Sequence, residues 1–242
     1  MEDLTPIQNE NQHKTMNADV VYSLKENEIH PTAIIGEDVV LGKGNKIGAY
    51  CIITGNTNIG NNNTIESFAV IGSEPEHKAY FGKPNKGVII GDGNVIREYV
   101  TINAGCERPT ILEDNCVMLR GSYLGHDTII ESECTISCNV LIGGHSYVCI
   151  GANLGLGAIL HQYSKIGSYA MIGMGTIVTK KSTIYCFGIY VGNPAKFIKE
   201  NIIKKEKFNI DEYKKIILDC DKKTSIYKKW KEDLTFRTYC KD

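Results

Sequence analysis

Three short segments, Gly125-His126-Asp127, Gly144-His145 and Leu160-His161-Gln162-Tyr163, set histidines at recurring intervals in the second half of this 242-residue chain. A histidine followed by an aspartate suits general-base chemistry. Imidazole, with an ordinary pKa of about 6.5, takes a proton near neutrality from a hydroxyl or amine that attacks an acyl group. Asp127 would fix the ring tautomer of His126 and stabilise the imidazolium, provided its carboxylate reaches the ring. His126, His145 and His161, if they converge, would instead suit zinc, which needs three nitrogen or sulfur ligands and an open position. The plainest alternative is three solvated corner residues with no chemistry. The nine cysteines are odd in number and contain no CxxC pair, so they read as reduced and structural. Cys134, Cys138 and Cys149 fit as small fillers or corner residues. Base chemistry needs no covalent enzyme intermediate, so the thiols need no part in it.

The elements that position these residues follow from a period of six. Aliphatic residues recur at Ile35, Leu41, Ile47, Ile53, Ile59, Ile65 and Ile71, resume at Ile90, Ile96 and Ile102, and run from Leu112 to Val178. This fits neither a 3.6-residue helix nor simple strand alternation. It predicts an all-β solenoid, a parallel β-helix with three short strands per turn, each aliphatic residue stacking on its equivalent in the next coil. The residue after it is often glycine, expected to turn the corner at positive φ.

Two stretches interrupt the hexads, Ser73 to Val88 and Asn103 to Ile111, and insertions at solenoid corners commonly line binding surfaces. Residues 1–20 are polar and read as a flexible segment, 21–192 as the β-helix, and 193–242 as a helical region that caps its end. Within that last region Ile210, Tyr213, Ile217 and Cys220 form a helical stripe bordered by Ile216. A net charge of −1 gives no case for nucleic acid. No apolar run is long enough for a transmembrane helix, and the acidic N-terminus is unlike a signal peptide. These features point to the cytoplasm.

Four further segments sharpen the reading: His30-Pro31-Thr32-Ala33 at the start of the repeat, Ile90-Gly91-Asp92-Gly93-Asn94-Val95-Ile96-Arg97-Glu98-Tyr99-Val100-Thr101-Ile102 after the first insertion, the His126-Asp127 pair, and the later Gly144-His145 and His161-Gln162. In combination they resemble, over roughly residues 29 to 180, the hexapeptide-repeat acyltransferases, and among them the UDP-N-acetylglucosamine acyltransferases that begin lipid A synthesis. The resemblance implies a left-handed parallel β-helix, a homotrimer with its active site between neighbouring subunits, and acyl transfer to a nucleotide-activated amino sugar. It makes His126 the general base with Asp127 behind it. His145, His161, Gln162 and the backbone near Gly144 would contact substrate. Acyl carrier protein or coenzyme A would bring the acyl group as a thioester, with no tightly bound cofactor and no metal.

The pattern also departs from that family. Tyr123 stands where the family has a second histidine, and His77 is the nearest match to an aspartate that contacts substrate. Lys204 and Lys205 stand roughly where the family has two arginines, without arginine's bidentate geometry. Val191-Gly192-Asn193-Pro194-Ala195-Lys196 resembles instead the coenzyme-A-dependent sugar acetyltransferases, in which Lys196 would lie near the coenzyme's phosphates; the same segment also reads as a turn that ends the solenoid. The expectation is therefore an acyltransferase for lipid A or a surface polysaccharide. A coenzyme-A-dependent acetyltransferase, a zinc enzyme and a non-enzymatic assembly subunit are the alternatives.

Overall fold

A computed structural model describes residues 26–209, 211–219 and 222. The expected flexible segment 1–20, and Ile210 and Cys220 of the helical stripe, lie outside the described residues. From Glu28 the chain winds into a parallel β-solenoid of about nine turns. Its strands are mostly two residues long and fall into three sheets of ten, eight and seven strands. The first sheet runs from Glu28–Ile29 to Lys196–Glu200, the second from Ile34–Ile35 to Ile177–Val178, and the third from Val40–Leu41 to Lys165–Ile166.

The hexad explains this shape. In each two-residue strand the first side chain points out and the second in, as in exposed Lys46 and buried Ile47. The inward column Ile47, Ile65, Ile96, Met118, Ile136, Leu154 and Ile172 is almost wholly buried. Removing each such side chain from water contributes about 1.5–3 kcal/mol.

Glycine's part differs from the expectation. Apart from Gly72, glycines that follow the aliphatic residue do not have positive φ; that conformation falls two places later, at Tyr50, Phe68, Tyr99, Asp127, His145 and Tyr163 among others. The glycine is required because the coils approach closely there. A Cβ on Gly125 would sit 2.7 Å from the Gly144 nitrogen, and one on Gly143 would sit 2.6 Å from the Gln162 nitrogen.

Inside the junction from the third sheet to the first, a buried polar ladder adds to the apolar stack. The backbone N–H groups of Asn45, Asn63, Asn94 and Cys116 each donate to the side-chain oxygen of the asparagine one coil earlier, at 2.7–2.9 Å. Higher up, the Cys116 and Cys134 thiols donate to the carbonyls of Glu131 and Cys149. These cysteines are free, and they extend a hydrogen-bonded column.

An ordinary coil spans eighteen residues. The two insertions stretch it to 31 and then 22. Both leave the solenoid between the second sheet and the third, on consecutive coils, so they rise side by side from one corner.

At the C-terminal end a strand precedes the expected helix. Lys196–Glu200 is a strand that folds back antiparallel on Gly188–Val191. It covers the edge of the first sheet, the hazard the helices were expected to meet. Helical residues follow at 202–205 and 211–219. Phe208 and Tyr213 pack against Tyr169 and Phe187, which stack on each other at a corner of the prism. Among the described residues, no helix is long and apolar enough to cross a membrane.

Candidate active site

His126 lies two residues past the Tyr123–Leu124 strand, at the corner from which both insertions rise. Its Nδ1 is 2.7 Å from Asp127 Oδ2. The second insertion supplies what holds that carboxylate. The backbone N–H groups of Glu107 and Arg108 donate to Asp127 Oδ1 at 2.8 and 2.9 Å, and that of Cys106 donates to Oδ2 at 3.0 Å. The Arg108 guanidinium donates to the Asp127 carbonyl, and the Asp127 N–H donates to Thr110 Oγ1.

Burial works to raise the Asp127 carboxyl. The His126 hydrogen bond, the Arg108 and Cys106 N–H groups and the His145 imidazole outweigh it and hold the group well below the usual carboxylate range. Asp127 is therefore an ionised acceptor, so Nδ1 of His126 carries the proton and Nε2 is left as the basic atom. The dyad is in the form a general base requires.

The next coil shapes the ring's seat. Gly144 occupies the place equivalent to His126, and a Cβ there would sit 2.8 Å from both Cε1 and Nε2 of the imidazole. The Gly144→Ala variant is expected to tilt the ring, lowering turnover by about tenfold or more through misplacement of the base. The Tm should move by no more than a few degrees; a turnover assay beside a thermal melt checks both.

His145 takes the place equivalent to Asp127. Its ring meets His126 edge-on at 4.9 Å, its Nε2 is 3.8 Å from Asp127 Oδ2, and it stacks flat on Tyr163 at 4.6 Å. Burial lowers its pKa to about 4, so it is neutral at physiological pH. From the first insertion, His77 meets His126 edge-on at 5.3 Å. Burial, then the charge on His126, lower its pKa. Tyr123 faces outward on the second sheet, and its hydroxyl donates to Glu76 Oε2 at 3.0 Å, tying the first insertion to the strand before the base.

The structure thus gathers His77, Tyr123, His126, Asp127, Gly144 and His145 at one corner. His161 and Gln162 lie exposed on the following coil, where His161 Nδ1 donates to the Gln162 carbonyl at 2.8 Å. His145 stacks on neighbouring Tyr163 instead. Among the described residues, His126, His145 and His161 do not bring their ring nitrogens together as a zinc site requires. Cys106 does lie with His126 and Asp127, but burial and the Asp127 charge push its thiol far up, and Asp127 is already satisfied by N–H donors. Lys196 is on the first sheet, opposite this corner of the prism, and does not join the group.

Sequence reading missed Cys106, Glu107, Arg108 and Thr110, which grip Asp127, along with Glu76, Tyr80 and Tyr163. Tyr163 lay beside His161 and Gln162 in the repeat, and for the others the only signal was the break in the hexads itself.

Comparison with known proteins agrees with this geometry. The family model for the bacterial transferase hexapeptide (six repeats) matches residues 38–73. The chain is 37% identical over 191 residues to the acyl-(acyl-carrier-protein)–UDP-N-acetylglucosamine O-acyltransferase of Pseudomonas putida strain W619, covering 70% of this chain and 73% of that protein. It is 35% identical over 183 residues to the same enzyme of Stutzerimonas stutzeri strain A1501, covering 69% and 70%. Among solved structures, the UDP-N-acetylglucosamine acyltransferase of Francisella novicida superposes with a TM-score of 0.67 at 27% identity, over 78% of this chain and 77% of that one. The fold is the parallel β-helix expected from the hexads, left-handed as the resemblance implied. With its repeat, its insertions and its buried His126–Asp127 pair, the chain belongs to the acyl-(acyl-carrier-protein)–UDP-N-acetylglucosamine O-acyltransferase family and is an acyltransferase.

Proposed function

We propose that this protein moves an acyl chain from the thioester of an acyl carrier protein to a hydroxyl of UDP-N-acetylglucosamine, in the cytoplasm, as a step toward lipid A. The observation that carries the reading is the His126–Asp127 pair, its carboxylate gripped by three backbone N–H groups of the second insertion. Nε2 of His126 takes the proton of the attacking hydroxyl as the oxygen bonds to the thioester carbonyl carbon. As the tetrahedral adduct collapses, the C–S bond breaks and the proton passes to the departing thiolate. Asp127 fixes the ring and offsets the imidazolium charge.

Gly144, His145, His161 and Gln162 are the substrate-binding candidates on the coils above the base. Acyl carrier protein is favoured as donor over coenzyme A because the curated relatives carry that carrier in their names, and because Lys196, the coenzyme candidate, lies on the far sheet. A homotrimer fits the outward face of the second sheet, where Ile34 and Ile52 are exposed on two successive coils and Leu141 and Ile159 on two later ones. Exposed aliphatic pairs of this kind suit an interface.

A thioester-consumption assay tests the proposal. It pairs 3-hydroxyacyl carrier proteins and acetyl-coenzyme A against UDP-, dTDP- and GDP-sugars. Release of free carrier thiol with UDP-N-acetylglucosamine is the expected result. Turnover confined to another nucleotide sugar would redirect the reading to a surface polysaccharide, and turnover with acetyl-coenzyme A alone would overturn the choice of donor.

A further inference from the structure

The second insertion brings a second carboxyl group to the base, one that the His126–Asp127 pair does not account for. Glu107 stands between Cys106 and Arg108, and its own N–H is among the three that hold Asp127. Its side chain is only partly exposed. Oε2 is buried and has no hydrogen-bond partner, while the Tyr80 hydroxyl of the first insertion faces the carboxyl group. Burial, then the charge on Asp127, push this carboxyl up, while His126 and Arg108 draw it toward the ionised form. A corner glutamate could shed that penalty by turning outward. Here the two insertions enclose it beside the base.

We infer that Glu107 is a positioning residue of the reaction: its carboxylate, with Tyr80 as donor, stabilises the imidazolium that forms when His126 takes the acceptor's proton. The inference rests on the reading of His126 as the base. The two acids divide the work. Asp127 is saturated by three N–H groups and by Nδ1–H, so it fixes the ring. Glu107 is unsaturated, and its ionisation follows the charge on the ring. It exchanges no proton with substrate; the proton leaves the hydroxyl for His126 and then the departing sulfur. The groups around the imidazole are Asp127 on its own corner, Gly144 and His145 on the next coil, His77 from the first insertion, and Cys106 and Glu107 from the second, with Tyr80 beside Glu107 and Arg108 on the Asp127 carbonyl. Cys106 and Tyr80 are neutral near pH 7, with both groups pushed up. Glu107 is thus the one acid besides Asp127 in this set that can add negative charge.

The test is an NMR titration of the His126 Cε1–H signal in substrate-free protein, the signal being assigned by its loss in His126→Ala. Glu107→Gln is expected to move the midpoint down by about one pH unit, the effect of losing a nearby opposite charge. Glu107→Asp, which keeps the charge, should move it less than half as far, and Tyr80→Phe should move it in the same direction. An unmoved midpoint in Glu107→Gln overturns the inference. If that variant does not fold, an unmoved midpoint in Tyr80→Phe does so. No substrate enters this measurement, so a failed turnover assay bears on the proposed function alone. In active protein the acid limb of kcat/KM should shift with the midpoint while KM for the sugar holds. A purely structural residue would depress activity equally at all pH values.

Discussion

The His126→Ala variant is expected to lose about a thousandfold in kcat, within the usual range for removing a general base, while its Tm falls by only a few degrees. The asymmetry follows from the site's construction. The imidazole is buried between His77 and His145, yet it bears none of the stacked aliphatic core. The carboxylate beneath it keeps three N–H donors when the ring is gone. A single-turnover measurement of acyl transfer, paired with a thermal melt, reads both quantities. KM for the sugar should change little, since the lost interaction belongs to the transition state. A variant retaining more than about a tenth of the wild-type rate would remove His126 from the role of base.

Asp127→Ala should be costly in both respects. It leaves the N–H groups of Cys106, Glu107 and Arg108 pointing into a buried space without an acceptor, and orphaned groups of this kind cost about 1–3 kcal/mol each. The three share one site and relax together, so the expected loss is about 3–5 kcal/mol at pH 7. Its pH dependence has a defined sign. The folded pKa of Asp127 is depressed below the unfolded one. The stability it contributes is therefore fully present above the ordinary aspartate pKa of about 4 and is lost as pH falls through the folded pKa. Urea denaturation at fixed protein concentration should show wild type and variant far apart at pH 7 and converging below about pH 4. A constant gap across that range would mean that the carboxylate's charge contributes nothing to the fold.

The repeat made the solenoid legible because a period of six allows few other readings, and the burial of Ile47, Ile65 and Ile96 follows from it residue by residue. His126 and Asp127 were legible because they are adjacent, so no tertiary contact was needed to pair them. The grip on Asp127 was not. Cys106, Glu107 and Arg108 bond through their backbone N–H groups, which carry no residue signature, and they lie in a segment where the period that fixes register is suspended. His161 and Gln162 lie exposed on the coil above the base. Sequence placed them by interval, but a shift of one or two places along a corner decides which side chain turns inward, and at that coil Tyr163 stacks on His145. Lys196 lies away from this corner because Gly192-Asn193-Pro194-Ala195 reverses the chain onto the first sheet, a strand pairing that local sequence does not announce. The glycines were correctly seen as necessary, with the wrong cause, because closeness between coils is a property of neighbours eighteen residues apart.

The interior asparagine ladder bears on how such a chain finds its own alignment. A solenoid of equal coils has nearly the symmetry of a screw. Slipping one segment by a whole turn sets every aliphatic side chain on another aliphatic side chain, and the apolar core scarcely registers the error. The column that runs from Asn27 through Asn45, Asn63 and Asn94 to Cys116, Cys134 and then Ala152 and Ala170 is not symmetric. Displace it by one turn and Asn94 meets Cys134 while Cys116 meets Ala152, so the polar partners change along the whole column. The changing composition of that one column works like the notches of a key: it contributes little to how tightly the coils stack, and it tells each coil which neighbour is its own.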